Sequence, residues 1–232
     1  LWAGSTTLVA GSAGVGKTTL GLQFVCEGAD NDEPAVFVSF EESPAKLVRL
    51  AAGFRLDLVQ LESEGKLKLM HRSPMTVNFE KLMIELEDEI EQMPARRVVF
   101  DSLTDLEMAM TDSGSLRQAV HCLADMLDRH QVTALLTTEV PELFGQTYVT
   151  SEHISIIVDG IILMKYLELE SEIQRAISVL KMRGCDHDKG IWRYTISDRG
   201  IGVQSRFEGA EGVMAGATRA TTVTLSVRSF TE

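Results

Sequence analysis

Cysteine is scarce: Cys26, Cys122 and Cys185 are the three in 232 residues, far apart and without a C-x-x-C pair. That excludes a disulfide framework or a zinc ribbon as the organising device, and a reducing, cytoplasmic setting is expected. Long apolar runs are missing too. None approaches the ~18 residues of a spanning helix, and the first residues lack the basic-then-apolar order of a signal peptide, so no membrane role is expected. Positive charge is in short supply, with 22 Lys and Arg against 34 Asp and Glu for a net charge of −12. Such a surface repels polyanions unless a local basic patch intervenes, and nucleic acid is not expected as a partner. A starting methionine is also lacking. Leu1-Trp2-Ala3-Gly4-Ser5 leads straight into a strand pattern, as expected of a domain excised from a longer chain.

What is present is 44% hydrophobic content, enough for the core of one large domain. Aliphatic runs at Thr6–Ala10, Ala35–Phe40, Leu67–Met70, Arg97–Phe100 and Val132–Thr138 read as strands. Between them, Phe79, Leu82, Met83, Leu86 and Ile90 repeat at helical spacing, as do Leu116, Ala119, Val120, Leu123 and Leu127. Strand–helix alternation of this kind predicts an α/β fold with a mostly parallel central sheet flanked by helices. After about Asp159 the long helices stop. Gly160–Tyr166, Ile173–Met182 and Ile191–Ser197 follow one another across short turns, so the sheet is expected to end in antiparallel strands. Residues 1–203 are taken as the domain and 204–232, rich in Gly, Ala, Thr and Ser, as a weakly patterned tail.

The sharpest motif is Gly11-Ser12-Ala13-Gly14-Val15-Gly16-Lys17-Thr18, a G-x-x-x-x-G-K-[ST] sequence between a strand and a helix start. In a P-loop NTPase, glycines let backbone N–H groups converge on phosphates while the helix N-terminus adds positive potential. Lys17 would reach the β- and γ-oxygens of ATP, the Thr18 hydroxyl would ligate Mg²⁺, and Thr19 closes the nucleotide-binding set. Arg97-Val98-Val99-Phe100-Asp101 is an aliphatic strand ending in a carboxylate, where a P-loop enzyme keeps its metal-linked Asp. Glu41 and Glu42 end another strand, expected beside the P-loop strand, on the rim where open α/β sheets hold ligands. One of them could orient or deprotonate an attacking water or hydroxyl; Glu42 or Ser43 could instead cap the helix that follows.

These residues resemble the RecA-fold ATPases, and more closely the KaiC family of circadian-clock ATPases. The P-loop, "FEES" at 40–43, "ARRVVFDSL" at 95–103, "TTE" at 137–139 and "LKMRGCDHDKG" at 180–190 recur in that order. The likeness is densest from Ser151 to Ile201, in "SEHISIIVDGIILMKY" and "RAISVLKMRG", which look like the second, autokinase domain of family members. The resemblance implies Glu41 and Glu42 as catalytic carboxylates, a homo-hexameric ring with ATP between subunits, and Lys181 and Arg183 reaching the neighbour's nucleotide. It further implies that Ser155 matches an autophosphorylated serine, with Ile156 standing where the family carries a threonine. Thr150 matches another hydroxyl position. A slow autokinase on Ser155 is therefore expected, simpler than a two-site cycle, with Thr150 able to modulate Ser155 or to receive phosphate itself and nucleotide state signalled to protein partners that the sequence does not name. The competing expectations are a RecA- or RadA-like DNA-dependent recombinase and a nucleotide-binding scaffold without turnover. The run 139–159 opposes the recombinase, having three Glu and no Lys or Arg.

Overall fold

The computed structural model describes residues 1–110, 113–140, 154–169, 171–207, 210–211 and 219–220. Five strands alternate with helices in its first part: β1 (Thr6–Gly11), α1 (Lys17–Asp30), β2 (Ala35–Ser39), α2 (Pro44–Ala52), α3 (Leu58–Ser63), β3 (Leu67–His71), α4 (Phe79–Gln92), β4 (Arg97–Asp101), α5 (Leu103–Met108), α6 (Ser113–Arg129) and β5 (Thr133–Glu139). A 3-10 turn at Ile154–Ile156 leads into β6 (Gly160–Leu169), β7 (Glu172–Met182), β8 (Ile191–Ser197) and β9 (Gly200–Arg206), and two short strands, β10 (Ala210–Glu211) and β11 (Arg219–Ala220), pair with each other.

Nine strands form one sheet in the order β3-β2-β4-β5-β1-β6-β7-β8-β9. From β3 to β6 every pairing is parallel; from β6 to β9 every pairing is antiparallel. The predicted antiparallel finish is therefore present, with β6 as the joint, parallel to β1 and antiparallel to β7. Two sequence expectations need correcting. β2 does not lie beside the P-loop strand, because β4 and β5 stand between them. β9 was not foreseen either: its Gly200 and Gly202 dilute the strand signal, and most of its side chains are exposed. It crosses the expected boundary at residue 203.

Alternation along the strands divides the core into two layers, since successive side chains leave opposite faces of a sheet. Val36, Val38, Val98 and Phe100 join the stripes of α4 and α6 on one face, where Leu82, Leu86, Ile90, Leu116, Val120, Leu123 and Leu127 are buried. Phe37, Val99, Leu135 and Val9 face the other way and meet Leu22 and Val25 of α1, Leu47 of α2 and Leu58 of α3. With both faces covered, the central parallel strands carry unbroken apolar runs, residues 35–38 in β2, 98–100 in β4 and 134–136 in β5, rather than alternating with polar residues. Parallel pairing also places the carboxyl ends of β1, β2, β4 and β5 on one edge. Gly11 is level with Glu139, and Ser39 with Asp101.

Candidate active site

At that edge a cleft of about 410 Å³ is lined by Gly14, Gly16, Lys17, Thr18, Glu41, Asp101, Asp105 and Glu139, among others. Its floor is the P-loop, and glycine is required there for two reasons. Gly16 precedes α1 with φ 104°, a left-handed conformation that costs a side-chain-bearing residue energy. A Cβ on Gly11 would come within 2.4 Å of the Met164 carbonyl oxygen of β6. Lys17 turns back over the loop, donating from Nζ to the carbonyls of Gly11 at 2.9 Å and Ser12 at 3.0 Å. Burial lowers the Lys17 pKa, while Glu139, Asp101, Glu41 and Asp105 oppose that shift. Ser12 Oγ is buried without a partner, as a group waiting for a ligand would be.

Asp101 ends β4, buried, and accepts from the Thr18 hydroxyl at 2.8 Å and from the Thr137 hydroxyl. Burial raises its pKa, and the bonds from Thr137 and Thr18 pull it the other way. The expected pair of a P-loop hydroxyl and a strand-end carboxylate is thus in contact. A hydroxyl oxygen beside a carboxylate suits a hard cation such as Mg²⁺, which prefers oxygen ligands and keeps most of its waters. Thr18 and Asp101 would hold it, and it would supply positive charge to the phosphates.

Glu41 and Glu42 part company. Glu41 lines the cleft, and its pKa is raised by partial burial first and then by the carboxylates of Asp105, Glu42, Asp101 and Glu139. Glu42 pairs with Lys46 at 3.2 Å on the first turns of α2, and its backbone N–H donates to Ser39 Oγ at 3.1 Å. Ser43 occupies the cap position of α2 without a side-chain cap bond. Sequence reading left Thr104, Asp105 and Glu139 out of the site. Thr104 Oγ1 accepts from the Glu139 N–H at 2.8 Å and so joins the turn after β4 to the end of β5. "TTE" was the available signal for Glu139.

Lys181, Arg183 and Ser155 lie elsewhere. Met182 at the end of β7 is level with Gly160, which is level with Thr7 at the start of β1. The P-loop leaves the other end of β1 at Gly11, ~13 Å away at ~3.3 Å per residue. Lys181 Nζ donates to the carbonyls of Ser155 at 2.7 Å and Val158 at 2.6 Å. Arg183 donates to the Ile156 carbonyl at 2.9 Å and pairs with Asp159 at 3.3 Å. Burial, then the Arg183 cation, lowers the Lys181 pKa. The K-x-R pair therefore straps the turn that carries Ser155. Thr150 lies outside the described residues.

A family model described as the KaiC ATPase matches residues 1–208. The chain belongs to the KaiC ATPase family. Among its KaiC relatives, the circadian clock protein KaiC3 of Synechocystis sp. is 39% identical over 212 residues, covering 91% of this chain and 42% of that protein. The circadian clock oscillator protein KaiC of Picosynechococcus sp. is 34% identical over 213 residues, covering 92% of this chain and 41% of its own length. KaiC of Thermosynechococcus vestitus is also 34% identical, over 212 residues, 91% of this chain and 41% of that one. The chain thus spans less than half the length of these KaiC proteins. The mostly parallel sheet with its P-loop edge is consistent with a RecA-like ATPase domain of this family. No helix among the described residues is long and apolar enough to cross a membrane.

Proposed function

We propose that this KaiC-family domain binds Mg-ATP in the P-loop cleft and hydrolyses it slowly at the interfaces of a homo-hexameric ring, signalling nucleotide state to protein partners. The observation that carries this reading is the separation of the two halves of the chemistry. Lys17, Thr18, Asp101 and Glu41 surround one cleft, while Lys181 and Arg183 sit at the opposite end of the sheet. Within one chain the two sets do not meet; between copies arranged head to tail they would, and such a contact closes into a ring when its rotation does. Glu41 would take a proton from the attacking water as that oxygen bonds to the γ-phosphorus and the bond to the ADP oxygen breaks. Lys181 and Arg183 of the neighbour would spread the charge of the transferring group.

Ser155, whose carbonyl accepts from Lys181, would compete through its hydroxyl with water for a neighbour's γ-phosphoryl group. Its proton would pass to Glu41, the Oγ–P bond would form and ADP would leave. Ile156, 59% exposed, offers no second acceptor. Phosphorylation at this turn would therefore be simpler than a two-site Ser-Thr cycle. The test is ADP release together with intact mass after long incubation with Mg-ATP. Wild type should release ADP and gain one phosphoryl group, about 80 Da, and Lys17→Ala should do neither. Absence of ADP release from the assembled wild type would overturn the ATPase reading; ADP release without a mass gain, also absent from Ser155→Ala, would overturn the autokinase reading alone.

A further inference from the structure

The carbonyls of the P-loop are all but pinned from outside. Gly11 accepts from the Val140 N–H at 3.1 Å as well as from Lys17, and Gly16 accepts from the Leu20 N–H at 2.9 Å. Two more are held by phenols from distant strands. The Tyr166 hydroxyl of β6 donates to the Gly14 carbonyl at 2.7 Å, and the Tyr194 hydroxyl of β8 donates to the Val15 carbonyl at 2.6 Å. A trans peptide sets its N–H opposite its C=O. Drawing these two carbonyls onto the phenols turns the N–H groups of Val15 and Gly16 away from them, in a loop whose Gly14 and Gly16 line the cleft.

We propose that Tyr166 and Tyr194 are positioning residues for nucleotide phosphate, holding two consecutive P-loop peptides so that their N–H groups form the phosphate cradle. Neither phenol touches the nucleotide; each acts through a peptide plane. Tyr194 is 1% exposed, and a buried hydroxyl is costly unless bonded, so phenylalanine would fill this site more cheaply if packing were the whole requirement. Burial holds its pKa far above the usual phenol range, so the donor keeps its proton throughout physiological pH. Tyr166 is half-buried, with the Arg175 guanidinium 5.4 Å from its ring centre. β7, which supplies Arg175, also ends in Lys181 and Met182. In the sheet β7 lies between β6 and β8, so the strand that carries the cations meant for the neighbour runs between the two that hold the cradle.

This rests on the reading of the cleft as a nucleotide site, and the experiment separates the two. Competition against a fluorescent ADP analogue gives dissociation constants for ATP, ADP and AMP in wild type, Tyr166→Phe, Tyr194→Phe and Lys17→Ala. P-loop N–H groups cradle the inner phosphates, so Tyr194→Phe should weaken ATP and ADP alike, by about tenfold for one buried carbonyl left unpaired, and Tyr166→Phe, whose Gly14 carbonyl is open to solvent, should weaken both by less, about threefold. AMP should shift by less than about twofold, and the KM for ATP should rise more than kcat falls. Equal loss for AMP and ADP would mean a general loss of structure and would overturn the proposal, as would unchanged ATP and ADP constants in both variants. Wild type binding no better than Lys17→Ala would instead remove the nucleotide reading itself, and the proposal with it. Tyr166→Phe, at a partly exposed site, carries the same comparison if Tyr194→Phe fails to fold.

Discussion

The two ends of the sheet differ in the charge they leave uncovered. At the P-loop edge, Lys17 stands among Glu41, Asp101, Asp105 and Glu139, an excess of carboxylate that only a bound cation would relieve. At the opposite edge, Lys181 and Arg183 share Asp159 and a few backbone carbonyls. A triphosphate placed in the first site still needs positive charge on its outer phosphate, and the second site has that charge but no phosphate. In the proposed ring, a second copy would supply what each end lacks.

The comparison breaks or sharpens on three measurements. The largest effect is expected at Arg183. Arg183→Ala should lower ADP release by about 10³-fold, the scale of a charge supplied in trans, while binding of nucleotide by the isolated subunit changes little. Mixing Arg183→Ala with Lys17→Ala should restore part of the rate, because an intact P-loop then meets an intact Arg183 at some interfaces. Failure of the mixture to recover any activity would show that the two ends do not meet.

Next comes the carboxylate pair. Glu41→Gln should cost about 10²-fold in kcat, the usual worth of a general base. Glu42→Gln removes an exposed ion pair with Lys46 worth well under about 1 kcal/mol and should change kcat by no more than about threefold. A larger loss at Glu42 would move the base from one residue to its neighbour.

The smallest effect concerns pH. With its pKa raised, Glu41 is protonated at a higher pH than an ordinary glutamate, so the acid limb of kcat should lie above the usual carboxylate range and flatten in Glu41→Gln. Stability has the opposite sign. Asp101 and Glu41 bind protons more tightly folded than unfolded, so their contribution is complete below the unfolded values and is lost as pH rises through the folded ones. The unliganded protein should therefore melt at a higher temperature in weak acid than at neutral pH. Asp101→Asn should reduce that difference, and thermal scans across pH check it.

Several of these groups are legible without coordinates because their chemistry is local. Gly11 to Thr18 are contiguous, and the strand before them and the helix after them are set by the same few residues. The stripes of α4 and α6 follow from helical period, and the buried parallel strands from unbroken aliphatic runs. Asp101 could be read because it closes such a run. Glu41 and Glu42, adjacent and identical in type, could not be told apart. One peptide step at the end of β2 sends one into the cleft and the other to Lys46.

By itself, then, the sequence determined where phosphate would bind and that helices would cover both faces of a mainly parallel sheet, since motif and periodicity depend on neighbours within a few residues. Only the tertiary structure decided the strand order that parts β2 from β1, the strapping of the Ser155 turn by Lys181 and Arg183, and the bonds from Tyr166 and Tyr194 to a loop 152 and 179 residues earlier in the chain. Contacts over such spans follow from which strands pair. Pairing is settled by the burial of whole faces at once, and no short stretch of residues encodes it.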